Sequence, residues 1–135
     1  PWGRPDMALS LFIKEIINGK AIHVNGNGNM ERDFTYIDDV IEGLIRLINK
    51  IPNKNDSIDK KNLSPNKSWC PYKIFNMGNS KKVLKAKKIF QQVQPGEMIK
   101  TESNNELLEE WIKFKPKTSI DYGIKQFLNW YKDYY

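Results

Sequence analysis

Arg32-Asp33-Phe34-Thr35-Tyr36-Ile37-Asp38-Asp39-Val40 is the stretch whose reading decides the fold. Arg32, Phe34 and Tyr36 lie two apart, so on a strand they share one face while Asp33 and Thr35 share the other. From Val40 the period changes, and Ile41, Leu44, Ile45, Leu47 and Ile48 follow at helical spacing. A strand that gives way to a helix start is where α/β proteins hold anionic ligands. Arg32 therefore reads as a ligand contact, with a salt bridge to Asp33 or Asp39 as the structural alternative. Carboxylates in a first helical turn satisfy orphan amides and oppose the helix dipole. Asp38 and Asp39 are thus expected to be helix caps rather than a catalytic acid and base.

Toward the N-terminus, Pro1-Trp2-Gly3-Arg4-Pro5-Asp6 reads as a loop. Asp6 is the expected cap of a helix carrying Met7, Leu11, Phe12, Ile16 and Ile17, which ends at Gly19. Ala21-Ile22-His23-Val24 reads as a short strand. His23 is the single histidine of the chain and has no cysteine or second histidine at ligand spacing, so it reads as a surface residue. Asn25-Gly26-Asn27-Gly28-Asn29 contains a Gly-x-Gly, but Glu31 stands where a dinucleotide loop needs its third glycine, and no helix opens after it. The expectation here is a hairpin turn.

Toward the C-terminus, residues 49–71 are rich in Lys, Asn, Ser and Pro and read as a polar surface insertion. Tyr72-Lys73-Ile74-Phe75-Asn76 reads as a strand before a tight Gly78-Asn79-Ser80 turn. Gln94-Pro95-Gly96-Glu97 is a turn. Ser103-Asn104-Asn105-Glu106 matches a capping box, and Ile120, Ile124, Phe127, Leu128 and Tyr131 mark a last helix from about Ser119.

The chain has 135 residues, 39% apolar and 28% charged, with a formal charge of +6. That is one domain's worth of chain, or part of a larger domain. No apolar run reaches the roughly 18–20 residues of a membrane span, so no membrane partner is expected. The single cysteine, Cys70, excludes an intrachain disulfide and points to the cytoplasm. The positive charge is mostly lysine scattered over the chain, and the densest run, around residues 81–88, has no interleaved aromatics to stack bases. Nucleic-acid binding is accordingly the weaker reading.

The order of these motifs resembles that of the nucleotide-sugar epimerases, within the extended short-chain dehydrogenases/reductases. It runs Pro1-Trp2-Gly3-Arg4-Pro5-Asp6-Met7-Ala8, Arg32 to Asp39, Phe75-Asn76-Met77-Gly78-Asn79, Gln94-Pro95-Gly96-Glu97 and Lys115-Pro116-Lys117-Thr118. The Arg-Pro-Asp-Met-Ala and Gln-Pro-Gly forms resemble the UDP-glucuronate 4-epimerases in particular. The resemblance covers nearly the whole chain but only the C-terminal, substrate-binding part of such enzymes. It implies an α/β partial domain over 1–135, carrying the last strands and helices, without the Rossmann N-terminal half.

The resemblance also implies roles for residues. Arg32 matches an arginine on the diphosphate of the UDP-sugar, a role suited to its fixed charge and forked donors. Gln94 matches a position where relatives carry a second phosphate-binding arginine. Glu97 matches an aspartate that holds ribose hydroxyls, and Asn76 lies in a strand lining the nucleotide pocket. Arg4 lies in the loop near the sugar, where a cation meets the glucuronate carboxylate. The family reaction uses bound NAD to oxidise C4 and return the hydride to the other face. It requires a Gly-rich loop and a Tyr-x-x-x-Lys pair, and the sequence contains neither.

The resemblance thus makes the chain a UDP-sugar-binding fragment, with NAD expected on a missing N-terminal half rather than on this chain. The alternative is a non-catalytic remnant or interaction module. Residues 81–93 look too short for the helix and strand that relatives place there, and the isolated chain is expected to be marginally stable.

Overall fold

Two short strands far apart in the sequence pair with each other. β1 (Ile22–Val24) and β2 (Lys88–Phe90) form a two-stranded parallel sheet, in the register Ile22↔Lys88, His23↔Ile89 and Val24↔Phe90. The structure is a computed structural model and describes residues 7–55, 58, 61, 68–79, 88–93 and 95–134. The expected opening loop, with Arg4 and the Asp6 cap, lies outside them, as does Gln94. Among the described residues no helix is long and apolar enough to cross a membrane.

Parallel strands cannot be joined by a tight turn, and this corrects the expected hairpin at residues 25–29. That segment is a 3-10 turn, Gly26–Gly28. Gly26, Asn27 and Gly28 all have positive φ (61°, 51° and 77°), the backbone that Gly and Asn tolerate. The Asn25–Gly26 composition therefore specified the backbone correctly and the pairing wrongly. The strand expected over 32–36 is also corrected. Glu31 makes one isolated parallel bridge with Lys100, and 32–36 run on without strand pairing. Residues 72–76 likewise pair with no strand.

The chain divides into two compact units. The first comprises Pro1–Arg32, Lys81–Glu102 and Ile120–Tyr135, and the second Asp33–Ser80 and Ser103–Ser119.

In the first unit, α1 (Ala8–Ile17) buries Ile13, and β1 buries Ile22. The helix stops as the sequence predicts. Gly19 takes φ 69°, its amide bonds to Ile16 O at 3.0 Å, and the Lys20 amide bonds to Glu15 O at 2.8 Å. These two bonds are the Schellman pair that satisfies the last carbonyls of a helix. α4 (Ile120–Tyr134) follows the predicted span, with no fully buried residue. Its aromatics pack along the helix instead, Phe127 on Trp130 at 5.4 Å and Trp130 on Tyr134 at 5.3 Å between ring centroids. The segment expected to be too short for both the helix and the strand of relatives supplies β2, and its residues 81–87 lie outside those described.

In the second unit, α2 (Ile37–Ile48) contacts α3 (Glu106–Ile112), whose Leu108 and Ile112 are buried. Gly43 permits the approach, since a Cβ there would stand 2.5 Å from Met77 Cε and 3.5 Å from Phe114 Cε1. Arg46 lies over the Phe114 ring at 5.1 Å. Trp111 is flanked by Lys73 at 4.4 Å and Lys50 at 5.0 Å, and its indole N–H donates to Lys50 O at 3.1 Å. α3 ends on Lys113 in the left-handed conformation (φ 53°, ψ 40°). The expected capping box is absent: α3 has Asn105 at its N-cap with no side-chain cap bond, and Asn104 Oδ1 takes the Glu106 amide at 3.0 Å.

Candidate functional site

A short chain that buries few apolar side chains must fix its loops by polar ties, and the second unit does so with two aspartates. Asp33 Oδ1 accepts the Asn79 amide at 2.6 Å, and Oδ2 accepts the Ser103 amide at 3.1 Å. Asn105 pairs with the Gly78 peptide like a neighbouring strand: Oδ1 accepts Gly78 N–H at 3.0 Å and Nδ2 donates to Gly78 O at 2.5 Å. Asn79 Nδ2 in turn donates to Thr118 O at 2.5 Å. Gly78 and Asn79, just after Asn76, are thereby tied to Asp33, Asn105 and Thr118, and Asn76 itself is exposed.

Asp39 does not support its own helix end. Its Oδ2 accepts the amides of Lys117 at 3.1 Å and Thr118 at 2.8 Å, and the residue is 8% exposed. Asp38 does not cap either, because α2 begins after Tyr36 with no side-chain cap bond. The expected roles of this acidic pair are therefore corrected. One is a first-turn charge on the surface, and the other ties α2 to the 117–118 segment.

In the first unit, Arg32 is half-buried, and its guanidinium points back along the segment that precedes α3. Nη1 donates to Glu31 O at 2.9 Å and to Ile99 O at 3.3 Å. No carboxylate pairs with it among the described residues, so the salt bridge to Asp33 or Asp39 is not made. The 97–101 segment is aligned by the Glu31 amide on Ile99 O at 2.9 Å and the Thr101 amide on Glu31 O at 3.1 Å. Glu97, half-buried, accepts Asn25 Nδ2 at 3.0 Å. Arg32 is thus tied through Ile99 O to the segment that carries Glu97 two residues earlier. Asn76 belongs to the other unit, and Arg4 and Gln94 lie outside the described residues.

Lys100 sits between two carboxylates, Glu102 at 2.6 Å and Glu31 at 3.8 Å. The hydrogen bond to Glu102, that carboxylate's charge and then Glu31's charge hold its ammonium pKa above the ordinary 10.5. No cluster of His, Cys, Asp or Glu capable of holding a metal occurs among the described residues, and His23 Nδ1 lies 3.1 Å from Gln91 Nε2.

The 25–29 turn does not fit a dinucleotide pyrophosphate. A Cβ at Gly26 would meet Met30 Cγ at 2.6 Å, and one at Gly28 would meet Phe90 Cε1 at 2.8 Å. The space beside those glycines is filled by the protein's own side chains, and the turn opens no helix whose N-terminus could take a phosphate. Sequence reasoning missed Asp33, Asp39 and Asn105. The Asp and Asn side chains carry no local signal for partners 27 to 79 positions away.

Comparison with known proteins defines the class first. The structure has the fold of the C-terminal part of extended short-chain dehydrogenase/reductase epimerases. It superposes on UDP-glucuronic acid 4-epimerase from Bacillus cereus, solved in complex with UDP-glucuronic acid and NAD, with TM-score 0.73 and 25% identity, covering 100% of this chain and 42% of that one. Residues 1–60 match the model of the NAD dependent epimerase/dehydratase family. Over its whole length the chain is 40% identical to Protein CapI of Staphylococcus aureus, spanning 45% of that protein. It is 33% identical to UDP-glucuronate 4-epimerase 4 of Arabidopsis thaliana, spanning 34%. The chain is similar to members of the NAD dependent epimerase/dehydratase family, and it spans less than half the length of these relatives.

Proposed function

We propose that this chain is the UDP-sugar-binding part of a nucleotide-sugar 4-epimerase that interconverts UDP-glucuronate and UDP-galacturonate. Arg32 binds the diphosphate, Glu97 the ribose hydroxyls, and Arg4, Asn76 and Gln94 complete the contacts to nucleotide and sugar. The observation that carries the reading is the state of Arg32. A guanidinium has five N–H donors in a planar fork, and here Nη1 is anchored on two carbonyls. Anchored by neutral acceptors, the cation keeps its charge for an anion, which a partner carboxylate would have cancelled. The likeness to an epimerase solved with UDP-glucuronic acid supports the choice of ligand.

NAD supplies the hydride acceptor in this family. We place its site in the part of the relatives that this chain does not span, a reading supported by the poor fit of the Gly26–Gly28 turn to a pyrophosphate. What these residues contribute is binding and orientation of the sugar nucleotide.

The test is thermal unfolding of the chain with UDP, UDP-glucuronate and uridine. A ligand at about 100 times its Kd stabilises by about 2.7 kcal/mol. UDP and UDP-glucuronate are expected to raise Tm, and uridine, lacking the diphosphate, is not. Equal responses to all three, or none, overturn the proposal.

A further inference from the structure

The Asn25-Gly26-Asn27-Gly28-Asn29 turn supplies none of the ligand contacts proposed above, yet its geometry is closely determined. Gly26, Asn27 and Gly28 all take positive φ, and the turn is held against the end of β2. The Asn27 amide bonds to Gln91 O and the Gln91 amide to Val24 O, both at 2.9 Å. Met30 and Phe90 fill the space beside the two glycines. What this turn presents is Asn25. It stands just ahead of the left-handed run in extended backbone, with φ −69° and ψ 161°. Its Nδ2 donates to Glu97 Oε1 at 3.0 Å, across 72 positions of sequence. Facing a carboxylate, only the NH2 end of the amide can turn toward it, so chemistry sets the orientation of Asn25.

The backbone beyond Glu97 is fixed by other bonds. The Glu31 amide bonds to Ile99 O at 2.9 Å, the Thr101 amide to Glu31 O at 3.1 Å, and Arg32 Nη1 to Ile99 O at 3.3 Å. These bonds hold the segment but not the glutamate side chain, and glutamate is among the residues that lose most rotamer freedom on ordering. The bond from Asn25 restrains that side chain before a ligand arrives. A carboxylate has about four acceptor positions on its two oxygens, so one bond orients the group without exhausting its capacity for hydroxyl donors. We infer that Asn25 is a positioning residue that sets Glu97 to receive the ribose hydroxyls, and that through it the chain selects a ribonucleoside diphosphate over the 2′-deoxy counterpart. This rests on the reading of Glu97 as the ribose contact. A carboxylate aimed at a hydroxyl makes a short, charge-assisted bond, and a site built to bond a hydroxyl rejects the analogue that lacks it. Released to sample its rotamers, the same carboxylate must be ordered at the moment of binding, and the difference between the two ligands shrinks.

The test titrates UDP and 2′-deoxy-UDP calorimetrically into the chain and its variants, and reads the ratio of the two Kd values. The parent is expected to favour UDP by roughly 10-fold or more. Two variants remove the donor: Asn25→Ala, and Asn25→Asp, which keeps the shape of the side chain. Both are expected to bring the ratio down to about 3-fold or less, with the far-ultraviolet circular dichroism of the parent and little change in affinity for 2′-deoxy-UDP. In a Glu97→Ala background, Asn25→Ala is expected to change the ratio no further. A merely structural role for Asn25 would weaken both ligands alike and leave the ratio as it is in the parent, which overturns the inference. If Glu97→Ala removes the preference and both Asn25 variants keep it, the inference fails while the ribose reading stands. If Glu97→Ala keeps the preference, or neither nucleotide binds, the ribose reading fails and the inference falls with it.

Discussion

Asp38 and Asp39 are adjacent, chemically identical and both in the first turn of α2, yet their replacement by alanine is expected to have very different costs. Asp39→Ala removes the acceptor of two backbone amides, Lys117 at 3.1 Å and Thr118 at 2.8 Å. A hydrogen bond to a charged group contributes about 1.5–3 kcal/mol, so the pair amounts to about 3–6 kcal/mol. Lys117 is exposed, so water compensates part of the loss, and about 3 kcal/mol is the working figure. Asp38→Ala loses only the favourable placement of a charge at the helix start, about 0.3–1 kcal/mol. Asp39→Asn keeps one oxygen to accept both amides but removes the charge, and belongs between the two. Urea denaturation followed by circular dichroism reads the difference as a shift in midpoint at constant m-value. Should Asp39→Ala leave the chain unfolded without urea while Asp38→Ala folds, the ordering stands. A cost for Asp38→Ala equal to or larger than that for Asp39→Ala refutes the assignment of Asp39 as the tie between α2 and the 117–118 segment.

Three further outcomes follow from the same geometry. Gly78→Ala places a methyl against the Asp33 carboxylate and 2.5 Å from Ser103 Cβ, and is expected to lower stability by about 1–3 kcal/mol in the same urea assay. Lys113→Gly relieves a left-handed lysine at φ 53° and is expected to raise stability by up to about 1 kcal/mol, where Lys113→Ala gives no such gain. Because the Lys100 pKa is raised, its bridges contribute fully below the ordinary value of 10.5 and are lost only as the pH rises through the raised one. An NMR titration of Lys100 Nζ is therefore expected to show a raised midpoint that falls in Glu102→Gln, and stability between pH 6 and pH 9 that does not depend on this group.

The helices were legible because their evidence is local. Met7 to Gly19, Val40 to Ile48 and Ile120 to Tyr131 carry a 3.6-residue apolar period, and Gly19 supplied the left-handed stop that its Schellman bonds use. Of the strands only β1 was legible, from Ala21-Ile22-His23-Val24, because an alternating pattern shows which faces differ but does not name a partner. The alternation of Arg32, Phe34 and Tyr36 lies next to a single bridge, while Ile22 found its partner at Lys88. The same limit applied to the polar ties. Asp38 looked like a cap by position, and the residue that matters is its neighbour, whose partners lie at 117–118. The apolar pattern of α2 was read correctly as amphipathic, but which of its faces turns inward was decided by Gly43 and Asp39, small and polar residues that no hydrophobicity argument selects. At the candidate site, Arg32 was legible through its chemistry and the motif around it, whereas its carbonyl anchors on Glu31 and Ile99 depend on the alignment of the 97–101 segment.

The central claim is that Arg32 binds the diphosphate of a UDP-sugar, and calorimetric titration of UDP-glucuronate into the chain paired with the complementary portion of Protein CapI tests it most directly. Loss of a charged hydrogen-bonding partner costs about 1.5–3 kcal/mol, so Arg32→Ala is predicted to weaken binding by roughly 10- to 150-fold, with Arg32→Lys in between. An Arg32→Ala affinity equal to that of the parent contradicts the claim.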